Sequence, residues 1–341
     1  VKSRYVKQPV TEQDMFYGAI QGMVESLGDP YSMYFPPQAA EDFAKDLSGE
    51  LEGIGAEIGI KNNQLVVVAP LPDTPAEKAG LRPGDKILYI DKESTFGMDV
   101  NTAVSKIRGK ASTIVVLTIT RDGLTKASEV SITRLKINIP SILFSVKPNN
   151  IAYLRVMQFN DDTTSQLNKY IKQIQTRGSK GIILDLRNNP GGYLSAAIEM
   201  ASEWVTSGVV VSEKGMDGQN NVHETQAPHL LSGIKTIILI NKGSASASEI
   251  VAGALQDTKN AILIGEQTYG KGSVQDFETF PDGSALKLTV AEWFTPNGRN
   301  INKEGVKPDI EIKEDWEKEK VGEDAVLSKA LEFFASTTVK W

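Results

Sequence analysis

Residues 235–257 read as strand, turn and helix. The run Lys235-Thr236-Ile237-Ile238-Leu239-Ile240 is apolar and short enough for a buried strand, and 249–257 place Ile250, Val251, Ala254 and Leu255 on one helical side. The joining stretch, Asn241-Lys242-Gly243-Ser244-Ala245-Ser246-Ala247-Ser248-Glu249, is small and serine-rich. A chain with this segment must bring a helix N-terminus to the end of a buried strand. Unpaired N–H groups and the positive end of the helix dipole gather there. They can hold a developing oxyanion, so a serine at this turn stands where a nucleophile would. The same residues also satisfy the capping-box pattern, Ser246-Ala247-Ser248-Glu249, and capping is the commoner use of such a string.

A serine nucleophile needs a base. The chain has two histidines, His223 and His229, both read as loop residues without metal-ligand spacing, and no cysteine. A thiol nucleophile, disulfides and a cysteine zinc site are therefore excluded. A Ser-His-Asp triad stays open, and a lysine base is the other solution. Lys271 lies in Tyr269-Gly270-Lys271-Gly272-Ser273-Val274-Gln275, where flanking glycines let the backbone approach another site closely. As a base it must be neutral, which calls for burial or a cationic neighbour. Ser246, Lys271 and Gln275, at this spacing and following Asp185-Leu186-Arg187-Asn188-Asn189-Pro190-Gly191-Gly192, resemble the motifs of the carboxy-terminal processing (tail-specific) serine proteases. The resemblance runs from about Thr11 to Ile312. It implies Ser246 as nucleophile, Lys271 as general base and Gln275 as the residue orienting the lysine. It also implies an oxyanion hole made by the N–H of Gly191 or Gly192 with that of Ala247.

The expected fold is multidomain α/β. An α/β protease core at 137–316 would be preceded by a PDZ-like β-rich domain at 50–135, with helical segments at 1–48 and 317–341. In the first segment Thr11 caps a run of Met15, Phe16, Ala19, Ile20, Met23, Val24 and Leu27 that Gly28-Asp29-Pro30 ends, and a second helix covers 38–47. Such a hairpin must pack on the protein body or on a second subunit, and the resemblance implies a homodimer. In 50–135, Thr74-Pro75-Ala76-Glu77-Lys78-Ala79-Gly80-Leu81-Arg82-Pro83-Gly84-Asp85 resembles the signature of bacterial PDZ modules, which bind an extended peptide as an added strand. The turn Gly53-Ile54-Gly55-Ala56 would then receive a terminal carboxylate, a helix at 100–108 would flank the groove, and Arg108 would couple peptide binding to the protease. The last segment repeats an amphipathic pattern through Val326, Leu327, Ala330, Leu331 and Phe334.

The net charge of −6 argues against a nucleic-acid surface. No apolar run reaches the length of a membrane span, and no signal peptide is read. The chain opens at Val1 without methionine, so an export or anchor segment is expected upstream. The resemblance implies an extracytoplasmic bacterial enzyme, often membrane-tethered, acting on proteins or peptides with exposed C-termini. Neither cofactor nor metal is expected. Gly265 to Gly272 matches G-x-x-x-x-G-K, the front of a phosphate loop, but Gly272 stands where a Ser or Thr magnesium ligand is required and the residues after it alternate like a strand. Asp257 is read as structural. The rival function is a non-catalytic peptide-binding adaptor, against which Ser246, Lys271 and Gln275 stand together.

Overall fold

The computed structural model describes all residues except 1–5, 7–10, 49, 72, 122–125, 139, 217, 219, 227, 314–322 and 337–341. Their contacts divide them between two units, one drawn from Val1–Ser48, Pro140–Lys313 and Val326–Trp341, the other from Gly49–Ile139 and Glu314–Ala325.

In the first unit the apolar runs become the middle of a six-stranded sheet. Its order is Ile142–Lys147, Ile151–Val156, Gly181–Asp185, Thr236–Ile240, Ile262–Gly265 and Ile310–Glu311. The first pair is antiparallel and the others are parallel. Alternate side chains enter separate cores. Ile182, Leu184, Ile238 and Ile240 pack with the helices Thr163–Arg177, Leu194–Ser202 and Ala247–Asp257. Ile183, Ile237 and Leu239 pack with Val326 and Ala330 of the helix Ala325–Ala335. Both faces are covered, which is why these strands read as unbroken apolar runs rather than alternating ones.

A second, antiparallel sheet runs Met33–Phe35, Ala285–Phe294, Val209–Gly215 and Asn220–Glu224, with Ser273–Thr279 also paired to Ala285–Phe294. Two expectations change here. The N-terminal segment is not only helical, because Met33–Phe35 pairs with Ala285, Leu286 and Lys287. His223 is not a loop residue but lies on Asn220–Glu224, its Nε2 2.6 Å from Glu213 Oε1. The helix Glu12–Glu25 starts as expected, with Thr11 Oγ1 accepting from the Asp14 N–H at 3.0 Å. It buries Tyr17 and Val24 against Tyr34 and leaves Phe16, Met23 and Leu27 exposed.

The second unit holds an antiparallel sheet ordered Ala56–Lys61, Gln64–Pro70, Lys86–Ile90, Ile114–Thr120 and Ser128–Thr133, with Glu93–Ser94 against Lys86–Ile90. Glu50–Gly53 pairs separately with Leu135–Asn138. Leu65, Val67, Ile87, Ile90, Val115, Leu117, Ile119 and Ile132 form its core. Among the described residues the strand Ala56–Lys61 pairs with Gln64–Pro70 alone, which leaves its other edge without a strand.

Candidate active site

Helix Ala247–Asp257 begins directly after Ser246, and the structure separates three serines that look alike in the sequence. Ser244 Oγ donates to the Leu186 carbonyl at 2.8 Å and Ser248 Oγ to the Asn189 carbonyl at 2.9 Å; both are buried. They stitch the turn to the loop that follows strand Gly181–Asp185. Ser246 alone of the three is partly exposed, with φ 55° and ψ −116°. A capping serine normally has extended backbone angles. A non-glycine residue held here costs about 1–3 kcal/mol, a strain that capping does not require. The Ser246 N–H donates to Glu249 Oε2 at 2.8 Å, so the glutamate arm of the capping box does form.

The neighbouring loop is locked to this turn by three hydrogen bonds. The Ala245 N–H donates to the Asn189 carbonyl at 3.0 Å, the Asn188 N–H to Asn241 Oδ1 at 2.9 Å, and Asn241 Nδ2 to Asn188 Oδ1 at 3.0 Å. At its base the buried Asp185 accepts from Tyr153 Oη at 2.6 Å and from Arg187 Nη2 at 2.6 Å. Burial pushes the Asp185 carboxyl up, but the Arg187 guanidinium, the Tyr153 hydroxyl and the Arg155 charge together outweigh it and hold the group below the usual carboxylate range. Gly191 lies against Ser246: a Cβ on it would stand 2.7 Å from Ser246 Cβ and 3.0 Å from the Ala247 nitrogen. A Cβ on Gly192, at φ 136°, would stand 1.9 Å from the Phe159 carbonyl oxygen, so no side chain fits. The Gly191 N–H donates to Asn189 Oδ1 at 2.9 Å. Of the two glycines expected to offer a donor, Gly191 has its N–H engaged and Gly192 does not, among the described residues. Neither the Gly192 nor the Ala247 N–H meets an acceptor among the described residues.

Lys271 enters from the other side, just ahead of strand Ser273–Thr279. Its N–H donates to Glu249 Oε2 at 3.0 Å, the same oxygen that receives the Ser246 N–H. Glu249 Oε1 accepts from the Gly270 N–H at 2.7 Å and from Thr268 Oγ1 at 2.5 Å. One fully buried carboxylate thus fastens both main chains. Burial pushes the Glu249 carboxyl above its ordinary range against the pull of these four donors. The sequence shows Glu249 only as the end of a capping box, because its other partners lie at 268–271.

The Lys271 ammonium is pushed below its ordinary range by burial and by the Lys287 charge, while Glu249 and Asp29 pull it back up. Its Nζ lies 5.3 Å from the centre of the Tyr31 ring. No hydrogen bond joins it to Ser246 Oγ among the described residues. Gln275 does not hold the lysine in this arrangement; its Nε2 donates to Ser273 Oγ at 2.7 Å and to Thr289 Oγ1 at 3.4 Å. At Gly272 a Cβ would stand 2.1 Å from the Asn302 nitrogen, and a strand follows instead of a helix, so the phosphate-loop resemblance ends there. Asp257 is structural: its carboxylate accepts from the Asn297 N–H at 3.0 Å and pairs with Arg299.

In the second unit Gly53, Ile54, Gly55 and Ala56 line a groove of about 230 Å³ with Ile58, Val104, Ile107 and Arg108. The Ile54 and Gly55 N–H groups meet no acceptor among the described residues. Helix Val100–Ile107 forms one wall, and Arg108 is its C-terminal cap residue. The buried Arg134 donates from Nη2 to the Lys106 carbonyl at 2.9 Å and from Nε to the Ile107 carbonyl at 2.8 Å, which fixes that end of the helix.

Comparison with known proteins places names beside these parts. Residues 150–312 match the model of peptidase family S41, residues 66–121 that of a PDZ domain, and residues 1–39 that of the activating protease CtpB N-terminal domain. The chain is 39% identical over 311 residues to the carboxy-terminal processing protease CtpA of Bacillus subtilis (strain 168), covering 91% of this chain and 66% of that relative. It is 41% identical over 336 residues to the carboxy-terminal-processing protease of Bartonella bacilliformis, covering 97% of this chain and 76% of the relative. The solved structure of a photosystem II D1 C-terminal processing protease superposes with a TM-score of 0.63 at 31% identity, over 92% of this chain and 85% of that one. A putative S41 protease from Bacteroides fragilis shares the fold at a TM-score of 0.69 and 18% identity, over 96% and 92% of the two chains.

Proposed function

The chain belongs to the carboxy-terminal processing proteases of peptidase family S41, and from that premise we propose that it is a serine endopeptidase working through Ser246 and Lys271. The observation that carries this reading is the shared Glu249 oxygen, which ties a strained, accessible serine to a half-buried lysine. In the reaction the Lys271 side chain turns from the Tyr31 ring to Ser246 and takes the hydroxyl proton. Ser246 Oγ attacks the scissile carbonyl carbon. The oxygen that gains charge lies against the Gly192 and Ala247 N–H groups. The Lys271 ammonium returns the proton to the departing amine, leaving an acyl-enzyme. A water then attacks the ester with Lys271 again as base. Gln275 steadies the lysine once it has turned.

The groove at Gly53–Ala56 and the open edge of Ala56–Lys61 select substrates by a free C-terminus, added as a strand whose carboxylate meets the Ile54 and Gly55 N–H groups. Arg108, on the groove wall, links peptide binding to the catalytic unit. The enzyme works outside the bacterial cytoplasm. Its exposed helix face at Phe16, Met23 and Leu27 pairs two copies. No helix among the described residues is long and apolar enough to cross a membrane.

The test is digestion of an unfolded protein by the wild type, Ser246→Ala and Lys271→Ala, each checked for folding by circular dichroism. Cleavage by the wild type alone is expected. Cleavage by a folded Ser246→Ala variant would overturn the assignment. Matched substrates with free and amidated tails should be cut at different rates; equal rates would remove the tail-selection role.

A further inference from the structure

We propose that Lys287 is a positioning residue for this reaction, an ammonium seated on an aromatic pair beside the general base, whose charge sets when that base is free to accept the serine's proton. The inference rests on reading Lys271 as the base. Lys287 lies on strand Ala285–Phe294, opposite Met33 on one side and Phe277 on the other. Two residues along the strand, and so on the same face, is Thr289, which Gln275 reaches at 3.4 Å. Lys287 therefore belongs to the face of the sheet that carries the lysine-side machinery.

Its seat is built from separate parts of the chain. The Lys287 Nζ lies 5.1 Å from the centre of the Phe43 ring and 5.8 Å from that of Phe35. These two rings stack at 4.9 Å, and Phe277 packs on Phe43 at 5.1 Å. Lys287 is partly buried, and among the described residues its ammonium makes neither a hydrogen bond nor an ion pair. A lysine that served only solubility would reach water, and one that served only packing would gain by being apolar. Aromatic faces stabilise the cation without neutralising it, so its field remains available to a neighbour.

That neighbour is Lys271: its Nζ lies over the Tyr31 ring, the next residue, Ser32, accepts through Oγ from the Thr289 N–H at 3.0 Å, and Met33 after it is the strand partner of Lys287. The groups that face Lys271 are Glu249 from the helix after Ser246, Asp29 from the turn after helix Glu12–Glu25, the neutral ring of Tyr31, and Lys287 from the sheet. Burial acts first to lower the Lys271 ammonium, and Lys287 is the one cation that acts with it; both carboxylates act against it. Burial holds Lys287 low as well, against Asp29. Two ammoniums in one half-buried site disfavour each other. Phe35 and Phe43 offer Lys287 two faces, whereas Lys271 has one, so the proton that leaves first is that of Lys271.

The experiment is the pH dependence of kcat/KM for a peptide substrate, with the whole chain as wild type, Lys287→Met, Lys287→Gln and Lys287→Arg, and with Lys271→Ala as control. A parallel series follows the rate at which a fluorophosphonate labels Ser246. Loss of the charge should move the acidic limb of both profiles up by about one pH unit, with alkaline activity within about threefold of wild type. Lys287→Arg should leave the limb in place. The proposal is overturned if the limbs of folded Met and Gln variants superpose on the wild type, or if Arg shifts the limb as far as they do. Should neither neutral variant fold, an Arg variant with a displaced limb overturns it and one with an unmoved limb supports it. If Lys271→Ala still cleaves, the base assignment fails first and this inference with it; if Lys271→Ala is inert and the limb does not move, the Lys287 role alone fails.

Discussion

The two halves of the site are held in opposite ways. The serine half lies where parallel strands end, and hydrogen bonds fix its groups in direction as well as distance: Ser244 and Ser248 to the facing loop, Asn188 to Asn241, Asn189 to Gly191. The lysine half opens an antiparallel strand. Its main chain is tied to the serine half through Glu249, while both ammoniums rest against ring faces, which constrain distance more than direction. The difference teaches that Ser246 and the N–H groups proposed as oxyanion donors are set by the fold, whereas the direction of the Lys271 side chain, the proposed base, is the adjustable variable.

The strongest challenge to this contrast is Ser246→Gly. It should lower cleavage by about 10⁴-fold or more, as loss of a nucleophile does elsewhere. Because glycine takes φ 55° without strain, it should also raise the melting temperature, measured by circular dichroism. A lowered melting temperature would mean that the serine half is not strained. Next, Gly192→Ala should cut kcat by about 10²–10³-fold with little change in KM, because the loop must leave the Phe159 carbonyl and take its donor with it. An unchanged kcat would remove Gly192 from the oxyanion hole.

Glu249→Gln addresses the tie between the halves. An amide has one accepting oxygen where the carboxylate has two, so at least one buried donor loses its partner, at a cost of about 1–3 kcal/mol in denaturant titrations. Cleavage should fall about ten- to a hundredfold, and the sign of the pH effect is fixed. Removing an anion that stabilises the Lys271 ammonium lets the base become neutral at lower pH, so the acidic limb should move down. An upward move would contradict the electrostatics. The smallest effect should come from Gln275→Ala, at most about fivefold in kcat, since in this arrangement the glutamine bonds Ser273 and Thr289. A kcat equal to that of the wild type would remove Gln275 from the support of the turned lysine.

The serine half was largely legible in the sequence and the lysine half much less so, and the reason is the range of the interactions. Strand, turn and helix at 235–257 are coded by local periodicity and composition, and so is the cap at Thr11. Which glycine offers its N–H depends on the side chain of Asn189, which composition does not encode. Glu249 looks like a cap until residues 268–271 come to it. Lys287 has no local signature, since its ring partners come from 35 and 43 and the base it faces from 271. Met33–Phe35 is too short for its alternation to register, and His223 lies in Asn220–Glu224, a stretch rich in polar residues with low strand preference.

Gly272, pressed against the Asn302 backbone, has a consequence for how such proteins are found and how they drift. A single substitution, Gly272→Ser, would complete the textual signature of a nucleotide-binding loop from Gly265 onward. The variant that pattern searches would then rank as a nucleotide-binding protein is one whose turn could not form, because the new side chain would occupy the space of the Asn302 main chain. The two signatures are one substitution apart at this point, and packing closes the path between them.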